Sequence, residues 1–210
     1  MKLIVIANPK KDTHSYKFLS VLEKEFKKKD LKYEVVDLYK ENFDPVLSEK
    51  DFASYSDPTK LPKDILSIQS KIKKSDTLIF IYPVWWYSVP AVLKGFIDRV
   101  FTSGFAFKFS KKPKILMFCA DILSRIPGLR HALQPYVAKG LLKNKRAVVI
   151  RTYGGPKAGS RIFDRTEKNL ENALLRFCGI TKVKVLELFN LSVLSKEKED
   201  KFIKKIKSLF

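Results

Sequence analysis

Residues 77–90 read Thr-Leu-Ile-Phe-Ile-Tyr-Pro-Val-Trp-Trp-Tyr-Ser-Val-Pro, an apolar run that ends at a proline and leads into a cluster of aromatic residues. Thr77 to Tyr82 carry no charge and do not alternate polar with apolar side chains, as is typical of a strand buried on both faces. Pro83 and Pro90 bracket the next segment, which therefore cannot be ordinary helix throughout. The stretch predicts a central strand followed by a loop with three aromatic side chains.

Similar apolar runs recur along the chain and alternate with segments of helical periodicity. The predicted strands are residues 3–7, 33–38, 77–82, 146–152 and 182–188, and the predicted helices are residues 15–29, 63–74, 91–101 and 196–208. Residues 40–60, which are punctuated by Asp, Asn, Ser and Pro, are predicted as loop. Alternating strands and helices favour an α/β fold, a doubly wound parallel sheet covered by helices on both faces. With 210 residues and 45% apolar content, the chain is expected to form a single domain over residues 1–210.

The net charge of +20 is the most unusual feature of the composition. Such a field attracts polyanions, anionic lipid headgroups and phosphate-bearing ligands. Only eight of the 42 basic residues are arginine, however, and the lysines are scattered without a recognised nucleic-acid-binding motif. This pattern favours a solvated, lysine-rich surface, and no nucleic-acid partner is expected.

The chain shows neither a signal peptide nor an apolar run long enough to span a bilayer, so a cytoplasmic protein is expected. An additional apolar stretch near residues 113–139 interrupts the alternation, and its helical spacing predicts an inserted helical hairpin. The spacing is carried by Ile115, Cys119, Ile122 and Ile126. The hairpin would be a lid, packed on its own subunit or across a dimer, or a peripheral membrane contact with Arg125 and Arg130 beside its apolar residues.

Cys119 and Cys178 lie far apart among apolar neighbours and match no disulfide framework or metal-ligand spacing. No metal site is predicted. Both cysteines are interpreted as buried packing residues, the usual role of a free cysteine.

Ligands of open parallel sheets bind beyond the carboxyl ends of the strands, which directs attention to three loops. The first, residues 8–15, ends where a helix begins, and free N–H groups there could hold a phosphate with help from the Thr13 and Ser15 hydroxyls. On its own this signal is weak, because Ser or Thr before a helix is more often only an N-cap. The patterns G-x-G-x-x-G and G-x-x-x-x-G-K-[ST] are absent, which disfavours a dinucleotide-binding Rossmann unit and a P-loop NTPase.

The second loop, residues 83–90, offers aromatic faces on which a planar, electron-poor ring could stack, although aromatic clusters are also common in cores. The third loop, Thr152 to Pro156, contains Gly154 and Gly155, where the backbone could approach a ligand closely or form only a turn. Together the three loops predict a site for a ring, a ribityl chain and a phosphate.

The second loop and the helix after it contain a longer motif, Pro83-x-Trp-Trp-Tyr-x-Val-Pro-Ala-x-Leu-Lys-Gly-x-Ile-Asp-Arg-Val-Phe101, followed by Gly104-Phe-Ala-Phe107. This motif resembles the flavodoxin-like NAD(P)H:quinone oxidoreductase family, which includes bacterial modulators of drug activity and the ancillary oxidoreductases of potassium-efflux systems. Further matches are Gly140-Leu-Leu-Lys-x-Lys145 and Phe177-Cys-Gly-Ile180. The resemblance covers most of the chain in the expected order.

The resemblance implies a flavodoxin-like fold with strand order 2-1-3-4-5, FMN or FAD as cofactor, and NADH or NADPH as electron donor. It also implies a ping-pong mechanism, in which the nicotinamide gives hydride to flavin N5 and leaves before a quinone-like acceptor takes hydride at the same position. The implied cofactor-binding residues are Asn8, Thr13, His14, Ser15, Tyr16, Pro83, Val84, Trp85, Trp86, Tyr87, Thr152, Tyr153, Gly154 and Gly155. The last three would act in catalysis, because donors there would stabilise negative charge at N1 and O2 of the reduced flavin.

The sequence departs from the family pattern beyond the double glycine. Some relatives carry a Tyr and a His there to assist proton movement, whereas this chain reads Pro156-Lys-Ala-Gly-Ser160-Arg161. Arg161, or His131 from the inserted hairpin, could substitute electrostatically.

An enzyme is therefore expected, with a redox-sensing flavin-binding regulatory subunit of a membrane transport protein as the alternative. A one-electron carrier of the flavodoxin type is disfavoured, since such carriers are typically acidic. The resemblance also implies a homodimer, and residues 101–109 are the expected contact region.

Overall fold

The computed structural model describes residues 1–56, 60–109, 118–119, 122–123, 138–163 and 169–210. Its strands are β1 (Lys2–Ile6), β2 (Tyr33–Asp37), β3 (Thr77–Pro83), β4 (Phe107–Phe109), β5 (Ala138–Gly140), β6 (Arg146–Thr152) and β7 (Lys182–Leu188). Its α-helices are α1 (His14–Lys28), α2 (Glu49–Ser56), α3 (Lys63–Lys74), α4 (Ala91–Val100), α5 (Lys157–Phe163) and α6 (Lys196–Lys207). A π-helix spans Asn169–Arg176, and a 3₁₀ turn spans Leu191–Val193.

Five parallel strands form the central sheet in the order β2-β1-β3-β6-β7. These are the five predicted strands, so the expected order 2-1-3-4-5 is confirmed. The ends of β1, β3 and β6 lie side by side, because Ile6 is in register with Ile81, and Pro83 with Thr152. The sheet thus brings the three predicted loops to one edge.

Each central strand buries both of its faces, which explains its uninterrupted apolar sequence. Successive side chains point to opposite sides, so Leu3 and Val5 pack beneath α3 and α4, whereas Ile4 and Ile6 pack beneath α1 and α6. α1 and α6 are joined above the second face by a tilted ring contact between Phe18 and Phe202, whose centroids lie 5.0 Å apart. Burial of each such side chain contributes about 1.5–3 kcal/mol.

The prediction of a loop over residues 40–60 is wrong, because α2 occupies its second half. The helix begins with a reciprocal cap: Ser48 N donates to Asp51 Oδ2 at 2.8 Å, and Asp51 N donates to Ser48 Oγ at 3.3 Å. A serine followed three residues later by a carboxylate is a recognised helix-start signal in sequence. The signal was overlooked because the surrounding residues are mostly polar and were interpreted as loop.

Asp51 also anchors this segment to α4 through a buried ion pair. Arg99 Nε donates to both carboxylate oxygens of Asp51 at 3.2 Å, and Arg99 Nη1 donates to the Asp44 carbonyl at 2.7 Å. Pro45 lies so close to Gly95 that a Cβ atom on Gly95 would be 2.1 Å from the Pro45 oxygen. The segment before α2 is therefore clamped onto the helix that follows the aromatic loop.

β4 and β5 pair antiparallel on either side of the predicted hairpin. Ala138 and Lys139 belong to β5, so the segment ends in a strand. Residues 118–119 and 122–123 are helical and exposed. The rest of the predicted hairpin, with His131, lies outside the described residues.

The two cysteines differ in environment. Cys178 is buried as predicted, and burial raises the pKa of its thiol to about 12. The interpretation of Cys119 as buried is wrong, since Cys119 is exposed.

No helix within the described ranges is both long enough and apolar enough to cross a membrane.

Candidate active site

The three predicted loops meet at the carboxyl edge of the sheet. Ala7 N donates to the Ile81 carbonyl at 3.0 Å, which joins the end of β1 to β3. Val84 N donates to the Thr152 carbonyl at 2.8 Å, which joins the second loop to the third. The arrangement brings the end of β1, the second loop and the third loop to the same edge of the sheet.

The N-terminus of α1 fits an anion. Thr13 occupies the N-cap position without capping the helix, because its hydroxyl donates to the Lys10 carbonyl at 3.1 Å instead. The first turn of α1, all of which is described, contains no acidic residue. Because the first N–H groups of a helix have no partner within the helix, they are suited to hold a phosphate.

Asn8 and Ser15 hold the backbone of this loop through hydrogen bonds of their buried side chains. Both are buried, and Asn8 Nδ2 donates to Ser15 Oγ at 3.1 Å. Asn8 Oδ1 accepts a hydrogen bond from Lys10 N at 3.1 Å. The structure thus gives Ser15 a partner within the protein, and its hydroxyl and the Asn8 amide connect the end of β1 to the first turn of α1.

Tyr16 and His14 contact different neighbouring elements. Tyr16 donates from its hydroxyl to Asp37 Oδ2 at 2.8 Å, at the end of β2. Burial raises the pKa of Tyr16, and the hydrogen bond to the Asp37 carboxylate and its negative charge raise it further. His14 Nε2 lies 3.5 Å from Glu199 Oε1 on α6.

The aromatic loop closes in a two-residue turn. Trp85 and Ser88 exchange two backbone hydrogen bonds of 3.1 and 3.0 Å. Trp86 and Tyr87, between them, adopt left-handed φ angles of 50° and 55°. Bulky residues rarely adopt this conformation, which costs about 1–3 kcal/mol per residue and is concentrated at functional sites.

This turn presents one tryptophan almost entirely to solvent. Trp86 is 97% exposed, and Trp85 is 42% exposed. Tyr87 turns back toward the third loop, where its hydroxyl would be 3.1 Å from a Cβ atom on Gly159 in α5. The second loop therefore touches α5, the helix after the third loop, while the Trp86 indole remains available to a ligand or another molecule.

The glycines of the third loop border open space. A Cβ atom added to Gly154 or Gly155 would have no heavy-atom neighbour within 4 Å, and neither residue adopts a left-handed backbone. The part of the protein that the structure describes therefore gives no steric reason for glycine at either position. Glycine here leaves room for a ligand to lie directly against the backbone.

Hydrogen bonds to the segment after β7 hold the third loop in place. Tyr153 N donates to the Leu188 carbonyl at 2.8 Å, and Asn190 N donates to the Gly155 carbonyl at 3.0 Å. The Tyr153 ring stacks on Phe189 with centroids 4.4 Å apart. Tyr153 is 5% exposed, so its side chain supports the loop from within the protein.

A partly buried charge cluster contacts this loop through Tyr153. Glu187 Oε1 accepts hydrogen bonds from Arg151 Nε at 2.9 Å, from Arg151 Nη2 at 2.8 Å and from the Tyr153 hydroxyl at 3.2 Å. Sequence analysis missed Glu187, because its proximity to Tyr153 depends on the pairing of β6 with β7. Its only signal is that Arg151 and Glu187 each precede the last residue of a predicted strand.

The residues proposed to replace the missing proton relay remain predictions. Arg161 lies in α5, but its side chain is not among those described, and His131 is outside the described residues.

The comparison with protein families matches residues 2–209 to the family model described as a flavodoxin-like fold. NAD(P)H dehydrogenase [quinone] 1 of Cavia porcellus is 30% identical over 172 residues, covering 74% of this chain and 54% of that protein. The chain thus spans about half the length of that relative. Ribosyldihydronicotinamide dehydrogenase [quinone] of Mus musculus is 31% identical over 217 residues, covering 93% of this chain and 84% of that protein.

Solved structures agree with the fold. Smu.1420 from Streptococcus mutans UA159 is 28% identical, with a TM-score of 0.79 over 100% of this chain and 98% of that chain. An FMN-dependent NADH-azoreductase from Bacillus anthracis in complex with FMN is 19% identical, with a TM-score of 0.71 over 99% of this chain and 96% of that chain, a likeness of fold alone. By its sequence over nearly the whole length and by its strand order, the chain belongs to the flavodoxin-like fold family.

Proposed function

We propose that the chain is a flavin-dependent NAD(P)H oxidoreductase that binds FMN and delivers two electrons to quinones or related acceptors. The observation that carries this proposal is the open space above Gly154 and Gly155, at the same edge of the sheet as the strained aromatic turn and the uncapped N-terminus of α1. The names of the quinone dehydrogenases that the chain resembles support the same chemistry.

The described residues fit FMN at each of its parts. The N-terminus of α1, residues 13–16, would hold the phosphate, because its N–H groups and helix dipole favour an anion. Residues 83–87 would border the ring, and residues 152–155 would contact its polar edge. When bound, the flavin would accept a hydride from the nicotinamide and pass it to the acceptor in a ping-pong sequence.

The protein's own contribution would be orientation and electrostatics. Backbone N–H groups of the Tyr153–Gly155 loop would stabilise negative charge that develops near the polar edge of the ring, without reorganisation during the reaction. The exposed Trp86 indole offers an aromatic face beside the position of the acceptor. Trp86 would therefore contribute to stacking, and Tyr87 would fix the loop against α5.

An absorbance experiment tests the proposal. FMN-reconstituted protein should show a bound-flavin spectrum that bleaches on anaerobic addition of NADH or NADPH and recovers when a quinone is added. Parallel titrations with FMN and FAD, followed by fluorescence, would identify the preferred cofactor. If the protein binds neither flavin, the proposed flavin-binding site is wrong. If it binds flavin but neither nicotinamide reduces it, the proposed oxidoreductase activity is wrong.

A redox-sensing regulatory subunit is the second candidate, and one observation favours it. Phe118, Ile122 and Leu123 are all at least 40% exposed, an unusual exposure for large apolar side chains close together in sequence. Deletion of residues 115–139 should abolish association with membranes or a transport protein while turnover persists. If the deletion abolishes turnover and the wild-type protein shows no such association, the segment is instead a lid.

A further inference from the structure

A cavity of about 550 Å³ lies at the opposite edge of the sheet from the candidate active site. Its walls come from the end of α3, the turn before β4 and the segment that connects β5 to β6. Lys145, in the wall, directly precedes β6, whereas the third loop of the candidate site follows β6. The seven-residue strand between them is about 20 Å long, so the two sites are separate.

The cavity is strongly cationic. Among the nine lining residues that the structure describes, four are lysines, Lys73, Lys139, Lys143 and Lys145, and none is aspartate or glutamate. Lysine makes up 34 of the 210 residues, so nine residues drawn at random would include one or two. The concentration of ammonium groups in this concave surface therefore exceeds what the overall lysine content explains.

Lys145 is the most constrained of these ammonium groups. Its Nζ donates to the Ser75 carbonyl and, at 3.1 Å, to the Lys73 carbonyl, which leaves one of three N–H donors for a further partner. Burial lowers the pKa of Lys145, against an opposing effect of the Asp76 charge. Asp76 also pairs with the terminal amino group and Lys2, so its charge is shared. An anion bound in the cavity would balance the positive charge of the Lys145 ammonium group.

The walls combine apolar surface with a fixed backbone. Lys73 Nζ lies 5.7 Å from the centre of the Phe105 ring, and Leu142 is buried beside it. A Cβ atom on Gly140 would lie 2.3 Å from Gly179 N, so the loop into the cavity packs closely on the segment before β7. The lysines are thus attached to a backbone that is already ordered.

We propose that this cavity is a second ligand site, which binds a small multivalent phosphate anion: an inorganic polyphosphate or the phosphate chain of a nucleotide. Lysine ammonium groups bind phosphate as point charges, and several of them converge here. The volume lies within the range of small-molecule sites, and the Phe105 and Leu142 surfaces would accommodate an apolar or planar part of the ligand.

Isothermal titration of FMN-saturated protein with inorganic pyrophosphate and with magnesium-free ATP, at constant ionic strength, tests the proposal. Saturating FMN occupies the α1 N-terminus, so additional binding reports another site. We expect one saturable site, and at least tenfold weaker binding in the K139E/K143E variant. ATP binding more tightly than pyrophosphate would assign the site to nucleotides, and equal affinities would assign it to the phosphate chain alone.

The charge-matched control is K24E/K201E, which changes two exposed lysines on α1 and α6, on the other face of the sheet. This control should change the affinity less than twofold, with both variants unfolding at the wild-type temperature. Equal losses in the two variants would show diffuse charge attraction and overturn the proposal, as would the absence of saturable binding. Repeating the titration on FMN-free protein separates this result from a failure of the proposed flavin site.

Discussion

Side-chain contacts of a few residues hold the backbone of the third loop in position. The Tyr153 hydroxyl reaches Glu187, which Arg151 holds through two hydrogen bonds, so the loop stands on a charge-assisted network. The residues of the loops themselves could be predicted from sequence, because loops that follow buried strands meet at one edge. Glu187 could not be predicted, because its role comes from a neighbouring strand 34 residues later in the chain than Tyr153.

Replacing Tyr153 by Phe should weaken FMN binding about fivefold, since one hydrogen bond contributes about 1 kcal/mol to the position of the loop. E187Q should weaken it similarly, and the double variant should lose less than the sum of the two, because both act through one network. Quenching of FMN fluorescence measures these affinities. Y33F, on β2, is the control, and unchanged affinity in Y153F would show that the loop is positioned by its backbone alone.

Asp51 should control stability in acid. Burial alone would raise its pKa, but hydrogen bonds from Ser48 and the charge of Arg99 outweigh burial and lower it. A lowered folded-state pKa means that the stabilisation is complete above the unfolded pKa of about 4 and is lost as the pH falls through the folded value.

D51N should therefore lower the free energy of unfolding at pH 7 by up to about 3–5 kcal/mol, because the buried Arg99 would keep, among the described residues, only the exposed Asp64 carboxylate 3.8 Å away as an acidic partner. Urea titrations at pH 7 and below pH 4 should show a smaller difference between variant and wild type in acid. D98N, which breaks the exposed Lys94–Asp98 pair, should cost less than about 1 kcal/mol. A difference that does not shrink in acid would contradict the role of the charge.

Among the elements, the buried strands were the easiest to predict and α2 the hardest. Predicted and observed bounds coincide for β6, β7 and α3. β6 is buried on both faces, β7 alternates apolar residues with exposed lysines in its first half, and α3 buries one face, so each carries a clear pattern. α2 carries few apolar residues and depends on the Arg99–Asp51 pair, a contact between residues 48 positions apart. Its capping signal, Ser48 to Asp51, was the available clue.

The turn in the second loop stores strain that a matched pair of variants can measure. W86G removes the left-handed strain and the indole together, whereas W86A removes the indole and keeps the strain. We expect W86G to unfold at a higher urea concentration than W86A. The corresponding difference in the free energy of unfolding should be about 1 kcal/mol. Both should show weaker acceptor binding, measured as a higher quinone KM. Equal stabilities of the two variants would mean that the turn relaxes and stores no strain.

At the scale of the whole molecule, only part of the predicted dimer contact region is exposed on the surface. Phe101 and Phe105 of the expected contact region are buried in the core, whereas Phe109 is 62% exposed. The resemblance and the aromatic residues after the helix predicted the contact region, but an aromatic side chain in a sequence does not reveal whether it meets its own core or another chain.

We expect a dimer in sedimentation velocity at micromolar concentration, and a shift toward monomer in F109E. F52E is the matched control, since Phe52 is equally exposed, at 63%, but lies on α2. A wild-type monomer at this concentration would overturn the dimer, and a dimer that survives F109E would move the contact elsewhere.

The position of β7 at the margin of the sheet has a consequence for how copies of the protein behave in a crowded solution. Within the described part of the chain, no strand of the central sheet pairs with the outer side of β7, and such a margin is a template on which another chain can add by backbone pairing. Lys182 and Lys184, both exposed, lie along its first half. Two copies approaching margin to margin would bring these ammonium groups together, and their repulsion should oppose aggregation of the folded protein.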